Sequence, residues 1–359
     1  RFKEFNDEWQ NYKIKERVEV YDGIHETPNY VSEGIKFVSV ENINDLLSSN
    51  KFIPINDYNK YKIKTQYNDV FMTRIGDIGT STIYKSNENL AYYVSLALLR
   101  TKNENSLYPD YLNQYIKTIR FQKELYNRTI HVAFPKKINT GEIGECNILI
   151  CSKNEQIKIS NFLSLLDKKI ELQIKKINDL KLFKKGLNNK LFKGHQNIKL
   201  KEICVCCSSP ISLLDIENDN GIFPIYGANG EIKRIKDYQY NKDYLAIIKD
   251  GAGVGKTFIC SKNSSIIATL NALLPNDLPI YYFNELLKKI NFAKYTVGSG
   301  IPHIYFKDYS NEKLYLHNKS DILKINELFR TINIKIELEE KELDKLIQLK
   351  KALIQNMFI

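Results

Sequence analysis

Residues 163–191 read LSLLDKKIELQIKKINDLKLFKKGLNNKL, and residues 329–357 read FRTINIKIELEEKELDKLIQLKKALIQNM. In the first stretch apolar residues recur at alternating spacings of three and four: Leu163, Leu166, Ile170, Ile177, Leu180, Leu187 and Leu191, interrupted by Gln173 and Lys184. The second stretch repeats the rhythm with Phe329, Ile332, Ile336, Leu343, Leu346, Leu353 and Met357, interrupted at the same two places by Glu339 and Lys350. Such spacing is a coiled-coil seam, in which one narrow stripe of each helix faces a partner. Polar residues within a seam fix register and partner at some cost in stability. A helix of about 35 residues is roughly 50 Å long, and it is marginal in water until its stripe is covered. The nearest cover is the other copy, packed antiparallel within the same chain.

The two stretches belong to a longer repeat. Phe192 falls on Phe358 at an offset of 166 residues, and at that offset Lys184-Lys185 meets Lys350-Lys351 and Ile159 meets Ile325. Upstream, Ile14-Lys-Glu16 resembles Leu200-Lys-Glu202, Val70 to Tyr84 (VFMTRIGDIGTSTIY) resembles Tyr244 to Cys260 (YLAIIKDGAGVGKTFIC), and Phe134-Pro135 resembles Ile301-Pro302. These upstream regions mix short β-branched and aromatic runs with Gly, Asn and Asp, which predicts compact β-rich globules. Helices are expected within them at Tyr111–Tyr126 and Tyr281–Phe292. Ser152 and Glu155 offer a capping box for the first long helix, and Gly194 a stop. The predicted fold is α+β: a globule over 1–152, a helix over 153–193, a second globule over 194–319 and a second helix over 320–359. The expected arrangement is a pseudo-two-fold internal repeat, with two β-rich domains separated by an antiparallel two-helix coiled coil.

A chain of 359 residues suits two or more domains, and its net charge of +11 with a pI near 9.0 points to a polyanionic partner, nucleic acid first. No apolar run is long enough to span a bilayer and no signal-peptide pattern opens the chain, so no membrane partner and a cytoplasmic location are expected. The six cysteines are then read as reduced thiols. Cys204-Val-Cys206-Cys207 invites a zinc site. However, tetrahedral zinc sites take two separated ligand pairs and no second pair follows, so buried strand cysteines are the better reading.

Gly251-Ala-Gly253-Val-Gly255-Lys256-Thr257 looks like a phosphate-cradling loop. Asp250 stands where that motif needs its first glycine, and only three residues separate Gly251 from Gly255. The counterpart in the first copy, Arg74 to Ser81, has no such lysine, whereas a glycine turn common to both copies accounts for both. As a DNA-binding turn it offers Arg74, Gly76, Gly79, Thr80 and Ser81 in the first copy. The second copy offers Lys249, Gly251, Gly253, Lys256 and Thr257. Glycine permits close approach, while Lys, Thr and backbone N–H groups bind phosphate oxygens. An ordinary hairpin turn with solvated side chains explains the same residues. A second group comprises Tyr226, Asn229 and the loop Thr296 to Ile304, with Ser299 and His303. Its counterpart in the first copy holds Arg128, His131, Lys136 and Lys137. Asn can bond adenine bidentately, although Asn229-Gly230 equally suits a plain turn.

The alternation of globule and long helix resembles the specificity subunits of type I restriction-modification systems. So do Asp7-Glu-Trp9 with Ile14-Lys-Glu16 at the opening and Phe223-Pro-Ile-Tyr-Gly-Ala-Asn-Gly230 in the second globule. The resemblance implies two target-recognition domains reading a bipartite double-stranded DNA target, with no catalytic activity and no cofactor of the chain's own. It implies two modification subunits, which methylate adenine, docked on the helices, and two restriction subunits joining them. S-adenosylmethionine, ATP and magnesium would belong to those partners. In keeping with this, the sequence holds no Asn-Pro-Pro-aromatic run of an adenine methyltransferase. Two other readings stay open at this point: a P-loop nucleotide enzyme centred on Lys256, and a coiled-coil interaction protein without DNA specificity.

Overall fold

The computed structural model describes residues 1–217 and 219–358 and forms two compact units, residues 1–173 with 342–359 and residues 174–341. Ile359, the last residue of the predicted second helix, lies outside the described residues. Unit 1 holds a four-stranded antiparallel sheet in the order Val18–Asp22, Leu96–Thr101, Val70–Thr73, Ser81–Ile83. A three-stranded sheet runs Phe52–Ile53, Ile35–Val38, Leu90–Tyr92, with the last two parallel. Unit 2 repeats both. Its four strands are Cys204–Ser208, Leu270–Pro275, Tyr244–Ile248 and Thr257–Cys260; its three are Gly230–Ile235, Phe223–Gly227 and Ser265–Ile266, again with the last two parallel. The common strand order establishes the internal repeat and the α+β class.

Local chemistry explains the elements. The Glu16 carboxylate accepts from the Lys13 N–H at 2.7 Å and Glu202 from that of Lys199 at 2.9 Å, each capping a single helical turn. This accounts for the repeated Ile/Leu-Lys-Glu. The predicted helix Tyr111–Tyr126 is two, Pro109–Ile116 and Ile119–Arg128. It breaks at Thr118, whose hydroxyl accepts from the Phe121 N–H and starts the second helix instead of continuing the first. The predicted Tyr281–Phe292 is the helix Ile280–Leu287 followed by a 3-10 turn at Phe292–Tyr295. Cys204 and Cys206 pack toward one core of unit 2 and Cys207 toward another, as alternation along a strand requires.

The long helices span Lys153–Leu191 and Lys319–Met357, 39 residues each. Every seam position in both is buried or half-buried. In unit 1 Ile159 and Leu163, near the start of the first helix, share a core with Ile354, Met357 and Phe358 at the end of the second. In unit 2 Leu187, Leu191 and Phe192 share one with Ile322, Ile325 and Phe329. The pairing is therefore antiparallel in each unit. Phe358 rests on Tyr111 with ring centroids 5.2 Å apart, and Phe192 on Tyr282 at the same distance. The predicted capping box is corrected: Glu155 is fully buried, and its carboxylate accepts from Arg1 at 2.8 Å and from the Trp9 indole at 3.2 Å.

The seam lysines anchor the helices to the globules. In unit 2 Lys184 pairs with Glu285 at 3.0 Å and donates to Asn333, while Lys288 also pairs with Glu285, which is 1% exposed. In unit 1 Lys350 pairs with Asp167, which accepts from Gln114 at 3.1 Å. Lys117 joins this cluster, its ammonium pushed down to about 8 by burial and by Lys350. Gln114 and Glu285 hold the same place on repeated helices, as do Asp167 and Asn333. Each cluster thus has two lysines and one carboxylate, with carboxylate and amide exchanged between Gln114/Asp167 and Glu285/Asn333; unit 2 adds a second amide, Asn188, which donates to Glu285 at 3.1 Å.

Removing one partner of a buried ion pair strands the other charge, at about 3 kcal/mol or more. Glu285→Gln should lower unfolding stability in urea by about this amount. Adding Asn333→Asp, which restores a carboxylate in the unit 1 arrangement, should recover most of the loss. A double variant no more stable than Glu285→Gln would show that the two arrangements are not interchangeable.

Candidate nucleic-acid interface

The two loop groups that the sequence singled out form one platform in each unit. In unit 1 the turn after Val70–Thr73 lies against the loop at 129–138: the Gly76 N–H donates to the Lys136 carbonyl at 2.8 Å, and the Ile138 N–H to the Arg74 carbonyl at 3.0 Å. Unit 2 repeats this bond for bond, with Gly251 N–H to Pro302 at 2.8 Å and Ile304 N–H to Lys249 at 3.0 Å. Each loop closes on itself through a bridge, Ile130 with Lys137 and Val297 with His303. Lys136 therefore occupies the place of Pro302, and the expected match of Pro135 with Pro302 is one residue out of register.

The turn is not a phosphate cradle. Several of its N–H groups are spent internally: Gly79 donates to Thr73 at 3.0 Å, Gly255 to Ile248 at 2.9 Å, and Lys256 to Gly253 at 3.0 Å. Gly79 and Gly255 have φ of +95° and +83°, and a Cβ there would lie 2.6 Å from Gln122 and 2.5 Å from Phe292. These two glycines let the turn tuck under the following elements. Gly253 has a similar reason, since a Cβ would meet Ile248 at 2.8 Å. Gly76 and Gly251 face open space and serve the turn through positive φ alone. The loop of Lys256 joins the antiparallel strands Tyr244–Ile248 and Thr257–Cys260, and no helix follows it. A P-loop presents phosphates to a helix N-terminus, so the nucleotide-enzyme reading is withdrawn.

Four expected DNA-binding side chains are corrected to structural roles. Arg74 is 6% exposed, and its guanidinium donates to Asp22 at 2.6 Å and to the Val94 and Ile138 carbonyls at 3.0 Å each. Buried Ser81 donates to Asn113 at 2.9 Å, and half-buried Thr257 to the repeat-equivalent Asn284 at 3.5 Å. Both hydroxyls tie the hairpin to the helix beside it. Arg128 pairs with Glu142 at 2.9 Å and Glu124 at 3.6 Å. A donor beside a glycine turn reads the same in sequence whether it points out or in.

What remains at the surface is a set of cations with apolar tips. In unit 1 Lys136, Lys137 and His131 are exposed, His131 with its ring 4.4 Å from Tyr126. Val132 and Phe134 stand fully in solvent between them. Thr80 keeps its hydroxyl on Asp77 at 2.6 Å. In unit 2 Lys256, Ser299, Val297 and Ile301 are exposed and Lys249 and His303 half-buried, with the His303 ring 4.8 Å from Tyr305. Tyr226 and exposed Asn229 belong to the three-stranded sheet, where the Tyr226 hydroxyl bonds Ser261 at 3.1 Å. No hydrogen bond among the described residues joins them to the platform. Sequence reasoning missed Asn271 and Lys307 beside the second platform; comparing the repeated strands position by position would have exposed the first.

Residues 193–348 match the family model of the type I restriction modification DNA specificity domain. This stretch is similar to the DNA specificity domain of type I restriction-modification systems. A curated Mycoplasma pneumoniae protein, described as the N-terminus of a type I specificity subunit, is 35% identical over 88 residues, 23% of this chain and 47% of that protein. The chain spans about half the length of that relative. The fold is that of the S subunit from the M. genitalium type I system, with a TM-score of 0.68 at 19% identity over 100% of this chain and 97% of that one. A chain from another type I assembly shares it with a TM-score of 0.57 at 14% identity, over 99% and 98% of the two chains. The matched stretch includes the second platform entire.

Buried and surface cations of the two platforms should behave oppositely. Arg74→Gln removes a buried guanidinium from Asp22 and two carbonyls and should cost about 1–3 kcal/mol of unfolding stability. Lys256→Ala should stay within about 0.5 kcal/mol of the parent, while flattening the slope of log affinity against log salt for duplex DNA by about 0.9, the share of one phosphate contact. Equal stabilities for the two variants would contradict these placements.

Proposed function

We propose that this chain is the DNA-reading subunit of a type I restriction-modification system, with each unit reading one half of a bipartite duplex target. The observation that carries the reading is the platform, built twice in one chain with the same hydrogen bonds and on the same four-stranded sheet. Exposed lysines of both platforms suit phosphate contacts. The exposed Phe134 and Ile301 tips beside them suit surfaces that a partner covers. The net charge of +11 supports the same partner.

Catalysis, in this reading, belongs to other subunits. Leu165 and Leu172 in unit 1, and Leu182, Phe183 and Leu338 in unit 2, are apolar residues of the long helices left exposed outside the seam. They suit the docking of partner helices, here two modification subunits that methylate adenine, with two restriction subunits joining them. S-adenosylmethionine, ATP and magnesium are assigned to those partners, and the assembly to the cytoplasm. No described helix is long and apolar enough to cross a membrane. The match to a DNA specificity domain favours this reading over a coiled-coil protein without DNA specificity.

The test is a domain exchange. Residues 196–318 are replaced by the matching region of a relative, the chimera is expressed with the modification subunits, and the methylated motif is read genome-wide. One half of the motif should change and the other persist. Changes in both halves, or the absence of any bipartite motif with the parent chain, would contradict the proposal.

A further inference from the structure

At the base of each platform three residues meet on neighbouring strands. They are Asp22, Arg74 and Ala97 in unit 1, and Ser208, Lys249 and Asn271 in unit 2. The register makes them equivalent: Asp22 pairs with Ala97, and Ser208 with Asn271. Arg74 and Lys249 share one backbone position, their N–H groups donating to Ser95 at 2.9 Å and Thr269 at 3.1 Å. In unit 1 the trio is closed, because the Arg74 guanidinium is satisfied by Asp22 and two carbonyls. In unit 2 all three residues differ. The carboxylate has become a serine, the guanidinium an ammonium, and the alanine an asparagine.

The consequence is an open groove with unsatisfied polar groups. Its volume is about 420 Å3, and Ser208, Lys249, Asn271, His303, Tyr305 and Lys307 line it. Asn271 is 7% exposed and its Oδ1 has no hydrogen-bond partner among the described residues. The Lys249 ammonium, half-buried, makes no ion pair or hydrogen bond among them either. Leaving a buried polar atom unpaired costs about 1–3 kcal/mol. Of the five orphaned buried side-chain atoms among the described residues, the Asn271 oxygen is the one that lines this groove, where a ligand or ion can reach it.

The donors describe the ligand. Two ammonium groups, an imidazole, two hydroxyls and a carboxamide line the groove, against one carboxylate, Asp250. With neither end of the Asn271 carboxamide bonded, a half-turn about its last torsion presents either N–H2 or oxygen. An anion with several acceptor oxygens fits this set, and an ammonium suits phosphate as a compact charge. On a DNA specificity domain that anion is a backbone phosphate of the duplex. We propose that the groove of Lys249 and Asn271 is a phosphate-binding site of the second unit that the first unit lacks, so that the two half-targets are gripped unequally. This proposal rests on the DNA-reading function above.

The experiment measures salt-dependent binding of the full chain to a duplex carrying the motif methylated in its host, and to a scrambled duplex. The chains compared are the parent, Lys249→Gln, Arg74→Gln and the triple variant Ser208→Asp/Lys249→Arg/Asn271→Ala, which installs the closed trio. Lys249→Gln and the triple variant should each flatten the salt slope by about 0.9, whereas Arg74→Gln keeps the parent slope. A neutral methylphosphonate at one position of the second half-site should weaken the parent and leave Lys249→Gln unaffected. A parent that does not distinguish the two duplexes overturns the DNA-reading function itself. A parent that does, with an unchanged slope and unchanged methylphosphonate sensitivity in Lys249→Gln, overturns the groove alone. So does thermal stabilisation by inorganic phosphate that depends on Lys249 while the DNA slope does not.

Discussion

The apolar stripe of the long helices is the constraint on which the rest depends. Neither helix can leave its seam in water, and neither globule closes its core without helix residues. Unit 1 needs Ile159 and Leu163 from one helix and Met357 and Phe358 from the other; unit 2 needs Phe192 and Phe329. Covering the stripe and completing the globules are therefore one folding event in each unit. The hairpin turn and its neighbouring loop sit on sheets that this core holds rigid, which is the condition for a surface that reads shape and charge.

Duplication has left the framework alike and the polar groups free to differ. The two lysine clusters keep two lysines and one carboxylate while carboxylate and amide exchange places between Gln114/Asp167 and Glu285/Asn333. At the platform base the change is not compensated. The closed Asp22–Arg74 pair gives way to Ser208 and Lys249, and Asn271 enters where Ala97 stands. A swap that conserves charge keeps a core stable; one that does not opens a surface to a ligand.

The seam, the repeat and the strand cysteines were legible in the sequence because they rest on periodicity, which the backbone imposes regardless of context. The repeated Ile/Leu-Lys-Glu was legible as a repeat but not as a capped turn. The side chains around the glycine turn were not legible individually. Arg74, Ser81, Arg128 and Thr257 are bound to partners 14 to 64 residues away, and nothing in the local sequence records that distance. Glu155 misled for the same reason, since its partner is Arg1 rather than its own helix. Lys256 resembled a P-loop lysine because it stands in Gly255-Lys256-Thr257 after a glycine-rich run, although Asp250 replaces the first glycine and a strand, not a helix, follows.

If each unit reads one half of the target, as proposed, both platforms contact the duplex when the chain binds it. Amide hydrogen exchange of the full chain, with and without its target duplex, tests it most directly. The account expects slowed exchange at residues 74–80 and 130–138 and also at 249–257 and 296–305, with the middle of each long helix unchanged. Protection confined to one unit, or to the helices alone, would contradict it.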